Sequence, residues 1–163
     1  MIEQNQLMPV GELQELKNGE MITHNTAELF AAKKVVLFAV PGAFTPTCSA
    51  AHLPGYVVSA DELKAKGVDV IICLSVNDAF VMNAWGESQN AENIMMLADG
   101  DGSYTKALGL SMDTATFGGV RSQRYAMIID NGEVISLHVE EPKSFEVSKA
   151  EVILDQLQVL KKS

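Results

Sequence analysis

The chain has 163 residues, 47% of them hydrophobic and 20% charged, a balance suited to one compact domain spanning residues 1–163 with a sizeable core. Its formal net charge of −9, from 12 basic and 21 acidic residues, argues against nucleic acid and anionic membrane as partners, because both are bound through clusters of Lys and Arg. No apolar run approaches the ~20 residues of a membrane helix, and Met1–Asn5 lacks the basic start of a signal peptide, so a cytoplasmic protein is expected.

In chain order, Leu13–Leu16 and Glu20–His24 flank Asn18-Gly19, a dipeptide suited to a tight hairpin turn. Lys33–Val40 reads as a buried strand, its Lys33-Lys34 pair a solvated flank. Thr45–Lys66 reads as a long helical stretch interrupted around Pro54-Gly55. Val68–Ser75 is a second buried strand, and Asp78–Ser88 is a helix with Asp78 near its start. Ile94–Ala98 is a short strand and Ser103–Leu108 a short helix. Arg124–Asp130 and Glu133–Val139 form a second hairpin about Asn131-Gly132. Ser148–Leu160 reads as a terminal helix with Ser148 as N-cap and Glu151 completing a capping box. Val152, Ile153, Leu157 and Leu160 would form its apolar face, and Lys161-Lys162 its basic end. The order β-β-α-β-α-β-α-β-α-β-β-α predicts an α/β protein with a mixed central sheet flanked by helices and an N-terminal β-hairpin. The thioredoxin-like fold fits that order.

The run Val40-Pro41-Gly42-Ala43-Phe44-Thr45-Pro46-Thr47-Cys48-Ser49 joins a buried strand to a helix start. Pro46 suits a first helical turn, since it needs no N–H partner there, and Thr45 is then placed as the N-cap. Cys48 falls in the first turn, where unpaired N–H groups and the macrodipole both favour thiolate over thiol. A buried, inert cysteine could occupy the same place. However, Pro, Gly and Thr on every side fix the backbone around one sulfur, which packing alone does not require. Two cysteines and three scattered histidines give neither a disulfide framework nor metal-ligand spacing, so no metal or cofactor is expected. Position 51 is Ala, so the CxxC of a dithiol oxidoreductase is missing. A non-enzymatic redox sensor built on Cys48 remains the other reading of the same thiolate.

The segment PGAFTPTCS, followed by His52, Pro54 and Gly55, resembles the active-site loop of the peroxiredoxins, and most of all the type II, peroxiredoxin-5-like group. The family pattern of Pro, three residues, Thr, two residues, Cys is met by Pro41, Thr45 and Cys48. The resemblance extends through SVNDAFVMNAWG (75–86), RSQRYAMIIDNG (121–132) and VEEP (139–142). It implies a thiol-dependent peroxidase that reduces hydrogen peroxide and alkyl hydroperoxides. Cys48 would be the nucleophile and pass through a sulfenic acid. Thr45 would hydrogen-bond and orient the peroxide, and Pro41 would shield the sulfur. Arg124 would stabilise the thiolate and the charge on the breaking O–O bond.

His52, one turn after Cys48, would either modulate the thiolate or bond a backbone carbonyl. Cys73, in a doubly buried strand, is either a core residue or a resolving thiol, which some relatives carry at this spacing. Arg121 reads as a surface or interface arginine. With no cysteine near the C-terminus, the resemblance implies recycling by an external thiol, either glutathione with glutaredoxin or thioredoxin. Phe44, Phe80, Trp85 and Phe117 would either pack in the core or lie near the site or at a contact between subunits. The resemblance implies a homodimer, with the Thr116–Val120 loop at its interface.

Overall fold

The computed structural model describes residues Met1–Lys162, with side chains through Leu160. The side chains of the Lys161-Lys162 pair therefore lie outside the described residues. Strands β1 (Glu12–Lys17) and β2 (Glu20–Asn25) form the expected hairpin and lead into a short helix, α1 (Thr26–Phe30). Then follow β3 (Lys34–Ala39), a π-helical turn (Cys48–His52) running into α2 (Leu53–Ala65), and β4 (Val70–Ser75). Helix α3 (Ala79–Ser88), β5 (Met95–Ala98) and α4 (Ser103–Leu108) complete the first two thirds of the fold. A small ribbon, β6 (Ser111–Asp113) with β7 (Val120–Ser122), precedes β8 (Tyr125–Asp130), β9 (Glu133–Val139) and α5 (Ala150–Lys162). The ribbon has no counterpart in the sequence reading, because three-residue strands carry too little alternation to register.

Seven strands form one sheet in the order β2-β1-β5-β4-β3-β8-β9. The β3–β4 and β4–β5 pairs are parallel, and β3–β8 and β8–β9 antiparallel, so the sheet is mixed as expected. Alternation along the central strands divides the core into two layers. Val36, Phe38, Val40, Ile71, Cys73, Ala126 and Ile128 face the layer that includes Tyr56, Trp85 and Ile153 from α2, α3 and α5. Val35, Leu37, Ile72, Leu74, Met127 and Ile129 face the opposite layer with α1 and α4. Burial on both faces explains why β3 and β4 read as continuous apolar runs.

Three local details differ from expectation. The helical stretch after Cys48 is irregular at Cys48–His52 rather than at Pro54-Gly55, which sit inside the first turn of α2. Pro54 has no N–H to offer Ala50, so the regular ladder fails upstream of the proline. The Leu53 N–H then reaches back five residues to the Cys48 carbonyl. Thr45 takes the backbone part of an N-cap, its carbonyl accepting from the Ser49 N–H at 2.9 Å, but its hydroxyl turns to the Gly42 carbonyl instead. Ser148 does not cap α5; its hydroxyl and N–H both donate to Glu140, and the Lys149 carbonyl accepts the first helical bonds.

Candidate active site

The antiparallel β3–β8 register pairs Ala39 with Tyr125. The loop that leaves β3 and the residue that enters β8 are therefore neighbours at one end of the sheet. Arg124 shares the parity of Ala126 and Ile128, whose side chains lie in the same layer as Cys48. The two residues meet: Arg124 Nη2 donates to Cys48 Sγ at 3.1 Å, closing a gap of 76 residues. A hydrogen bond from a fixed cation favours the ionised form of its acceptor. Cys48 is fully buried, and its partner Arg124 lines a cleft of about 470 Å³ together with Pro41, Thr47, Met112, Gln123 and the 140–144 segment.

The second prong of the guanidinium, Nη1, donates to His52 Nδ1 at 2.8 Å. His52 Nε2 lies 3.1 Å from the Ser148 carbonyl, which can only accept, so the proton sits on Nε2 and Nδ1 is the acceptor. Burial, reinforced by the Arg124 charge, lowers the His52 pKa to about 3. The ring is therefore neutral beneath Arg124, with one nitrogen on the Ser148 backbone carbonyl and the other on the guanidinium that reaches Cys48. Phe38, Tyr56 and Phe145 surround it with ring centroids 5.0, 5.6 and 5.0 Å away, and Arg124 lies 5.7 Å from the Phe145 centroid. The Tyr56 hydroxyl donates to the same Ser148 carbonyl at 2.8 Å. Ser148 is itself anchored by the carboxylate of Glu140. Burial alone would raise the Glu140 pKa, but donors from Ser148, Val147 and Glu146 outweigh it and hold it below the ordinary value. Glu140 was not singled out from the sequence, and Ser148 was read there only as a helix N-cap, because an acid in VEEP and a serine before a helix have commonplace readings.

The peptide on the other side of the sulfur is held as firmly. Thr45 Oγ1 donates its only proton to the Gly42 carbonyl at 2.7 Å, which leaves its lone pairs able only to accept. Asn77 Oδ1 accepts the Ala43 N–H at 3.0 Å. Arg121 Nη1 donates to the Pro41 carbonyl at 3.0 Å. Asn77 and Arg121 are thus further supports of this loop; SVND in the resembling block was the only sequence signal for Asn77.

Cys73 stands on β4 with its side chain in the same buried layer as Cys48, and both are free thiols. Burial pushes its thiol pKa well up, with the nearby Cys48 adding to the effect. Trp85 is buried and its indole N–H donates to Ser49 Oγ at 3.0 Å. Phe44, Phe80 and Phe117 are exposed, at 56%, 63% and 79%.

Comparison with known proteins shows the family. The Redoxin family model matches residues 3–154. Peroxiredoxin-2D of Arabidopsis thaliana is 50% identical over 143 residues, covering 86% of this chain and 88% of the relative. Peroxiredoxin-2E-2, chloroplastic, of Oryza sativa subsp. japonica is 53% identical over 145 residues, covering 86% of this chain; the match spans 64% of that longer protein. Reduced Prx3 of Vibrio vulnificus, solved in complex with hydrogen peroxide, superposes with a TM-score of 0.95 at 71% identity, covering 96% of this chain and 99% of that one.

The relatives correct one expectation. Besides the chloroplastic rice protein, another rice relative at 47% identity, Peroxiredoxin-2F, is named mitochondrial. The cytoplasmic assignment therefore falls: organellar proteins share this sequence pattern, and composition carries no address. The sheet order, the site loop and these relatives together establish a thioredoxin-like thiol-dependent peroxidase that reduces hydroperoxides at the expense of a thiol: the chain belongs to the redoxin family and, within it, to the type II peroxiredoxins.

Proposed function

We propose that Cys48 is the peroxidatic nucleophile of a single 163-residue catalytic domain, with Thr45, Arg124 and Pro41 as its catalytic partners and His52 as an accessory strut. The observation that carries this reading is the fork of Arg124, with one prong on Cys48 Sγ and the other on a neutral His52. The Cys48 thiolate attacks one peroxide oxygen. An S–O bond forms as the O–O bond breaks, sulfur gives up two electrons, and the departing oxygen leaves as water or alcohol after taking a proton. Thr45 accepts from the peroxide O–H and sets it in line, and Arg124 stabilises the charge that moves onto the leaving oxygen. Pro41 walls the cleft against bulk water. Hydrogen peroxide is the natural small substrate, being the ligand in the Vibrio vulnificus complex. Alkyl hydroperoxides fit the same cleft chemistry, with Met112 and Pro142 available to an apolar tail.

We read Cys73 as a core thiol and the cycle as a one-cysteine cycle, because burial keeps Cys73 protonated and therefore a poor nucleophile. Resolution of the sulfenic acid then falls to an external thiol, either glutathione with glutaredoxin or thioredoxin. The exposed Phe44, Phe80 and Phe117 support a homodimer. Steady-state peroxide consumption with each reductant system tests the cycle. Cys48→Ser should abolish turnover, and Cys73→Ser should retain it within about twofold, as for a substitution outside the reacting groups. Loss of turnover in Cys73→Ser would show that the second cysteine resolves the first.

A further inference from the structure

We infer that Arg121 is a positioning residue for the peroxidase reaction: by fixing the Pro41–Gly42 peptide it orients the hydroxyl of Thr45, and it does so without touching the sulfur. This rests on the proposed roles of Cys48 and Thr45. Arg121 sits on β7, the ribbon strand beside the site, with its side chain partly buried. Nη1 donates to the Pro41 carbonyl at 3.0 Å and Nε to the Gly118 carbonyl at 3.3 Å. One guanidinium therefore bridges the active-site loop and the Phe117–Gly119 loop.

The slot it fills is built to its shape. A Cβ on Gly42 would stand 2.2 Å from Arg121 Nη1, and a Cβ on Gly118 would stand 2.3 Å from its Nε. Neither glycine has a left-handed backbone that would demand glycine on its own account. Both are small where the flat guanidinium passes between them, so two positions far apart in sequence are matched to a single side chain.

The connection to chemistry runs through adjacent carbonyls. The Pro41 carbonyl is held by Arg121, and the next one, on Gly42, takes the only proton of Thr45 at 2.7 Å. The Gly42 carbonyl belongs to the next peptide, whose Ala43 N–H is held by Asn77 Oδ1 at 3.0 Å, so Arg121 secures the N-terminal side of Gly42; displacement of the loop at Pro41 would shift Gly42, move its carbonyl and release the Thr45 hydroxyl. A freed hydroxyl turns, and its lone pairs no longer face the incoming peroxide. Arg124, not Arg121, holds the sulfur. Loss of Arg121 should therefore impair reaction with peroxide while leaving the thiolate as reactive as before toward a reagent that needs no Thr45.

The test compares second-order rates of Cys48 with hydrogen peroxide and with iodoacetamide in the full-length protein, for Arg121→Gln, Arg121→Lys, Gly118→Ala and Thr45→Val. Arg121→Gln should lose on the order of 10- to 100-fold toward peroxide, the range for sub-ångström misplacement of a reacting group, with alkylation unchanged within about twofold. Arg121→Lys should recover part of the loss, since an ammonium can reach one carbonyl but not bridge two. Gly118→Ala displaces the guanidinium with Arg121 still present and should reproduce the peroxide-specific loss, which keeps the inference testable if Arg121→Gln folds poorly. Equal losses toward both reagents, or an unchanged peroxide rate in both Arg121→Gln and Gly118→Ala, would overturn it. Thr45→Val separates the two levels. If it loses peroxide reactivity while the Arg121 and Gly118 variants keep theirs, only the positioning role fails; if it too is unaffected, the assignment of Thr45 fails and the role of Arg121 with it.

Discussion

His52 shows how a residue can be present in a motif and still have its job set by burial. The sequence places it one turn from Cys48 and leaves two roles open; the fold surrounds it with Phe38, Tyr56 and Phe145 and gives one ring nitrogen the Ser148 carbonyl and the other Arg124. A consequence is a stability that depends on pH. The folded state keeps His52 neutral down to about 3, against an ordinary 6.5, so between those values the unfolded chain binds a proton that the folded chain refuses. Stability is complete above the ordinary histidine value and falls as pH drops below it, by at most about 1.4 kcal/mol per pH unit. Glu140 titrates below its ordinary value and contributes little to the slope at the upper end of that window. Urea unfolding near neutral pH and about two units lower should show the loss in the wild type and a flatter profile in His52→Gln; equal slopes would remove His52 as the cause. The meeting of Cys48 with Arg124 was legible because both fall in blocks whose residue types and spacing are constrained together. Arg121, Asn77 and Glu140 were not, since each acts through a backbone atom that any residue could supply.

Among the elements, the π-helical turn bears most directly on the catalytic cycle. Cys48 and His52 both point inward from it, and the sulfur is fully buried, so a sulfenic acid formed there is out of reach of any protein reductant until the turn opens. Trp85 on α3 holds the turn from below through its bond to Ser49. Ser49→Ala would leave the buried indole N–H unpaired and should cost about 1–3 kcal/mol. It should also speed amide exchange across residues 48–52 and ease reduction of the sulfenic acid by a bulky thiol. Exchange confined to its wild-type rate in that segment would show that Trp85 is not the latch. The long elements were readable from periodicity: β3 and β4 as apolar runs, α3 from Asp78, which does cap it through the Val81 N–H at 2.8 Å, and both hairpins from their Asn-Gly turns. The break at Pro54 was visible as a break but displaced, because a missing N–H disrupts the turn before the proline, not the one that contains it. Ser148 matched a capping pattern, yet the Glu140 carboxylate claimed it, a competition set by tertiary structure alone.

At the scale of the whole molecule, the mixed sheet brings the loop after β3 and the start of β8 to one end, and the site exists because of that closure. The same arrangement leaves Phe44, Phe80 and Phe117 exposed, while the net charge of −9 keeps the remaining surface well solvated. Sedimentation should find a dimer that Phe117→Lys shifts toward monomer; an unshifted monomer in the wild type would remove the proposed interface. The family was legible from the loop and its companion blocks, but the compartment was not, since nothing in packing or catalysis records it. The most direct measurement of the central claim is mass spectrometry of the reduced chain after one equivalent of hydrogen peroxide in the presence of dimedone, which captures sulfenic acids. A single adduct on Cys48 and an unmodified Cys73 are expected. An adduct on Cys73, or a Cys48–Cys73 disulfide in place of any adduct, would contradict it.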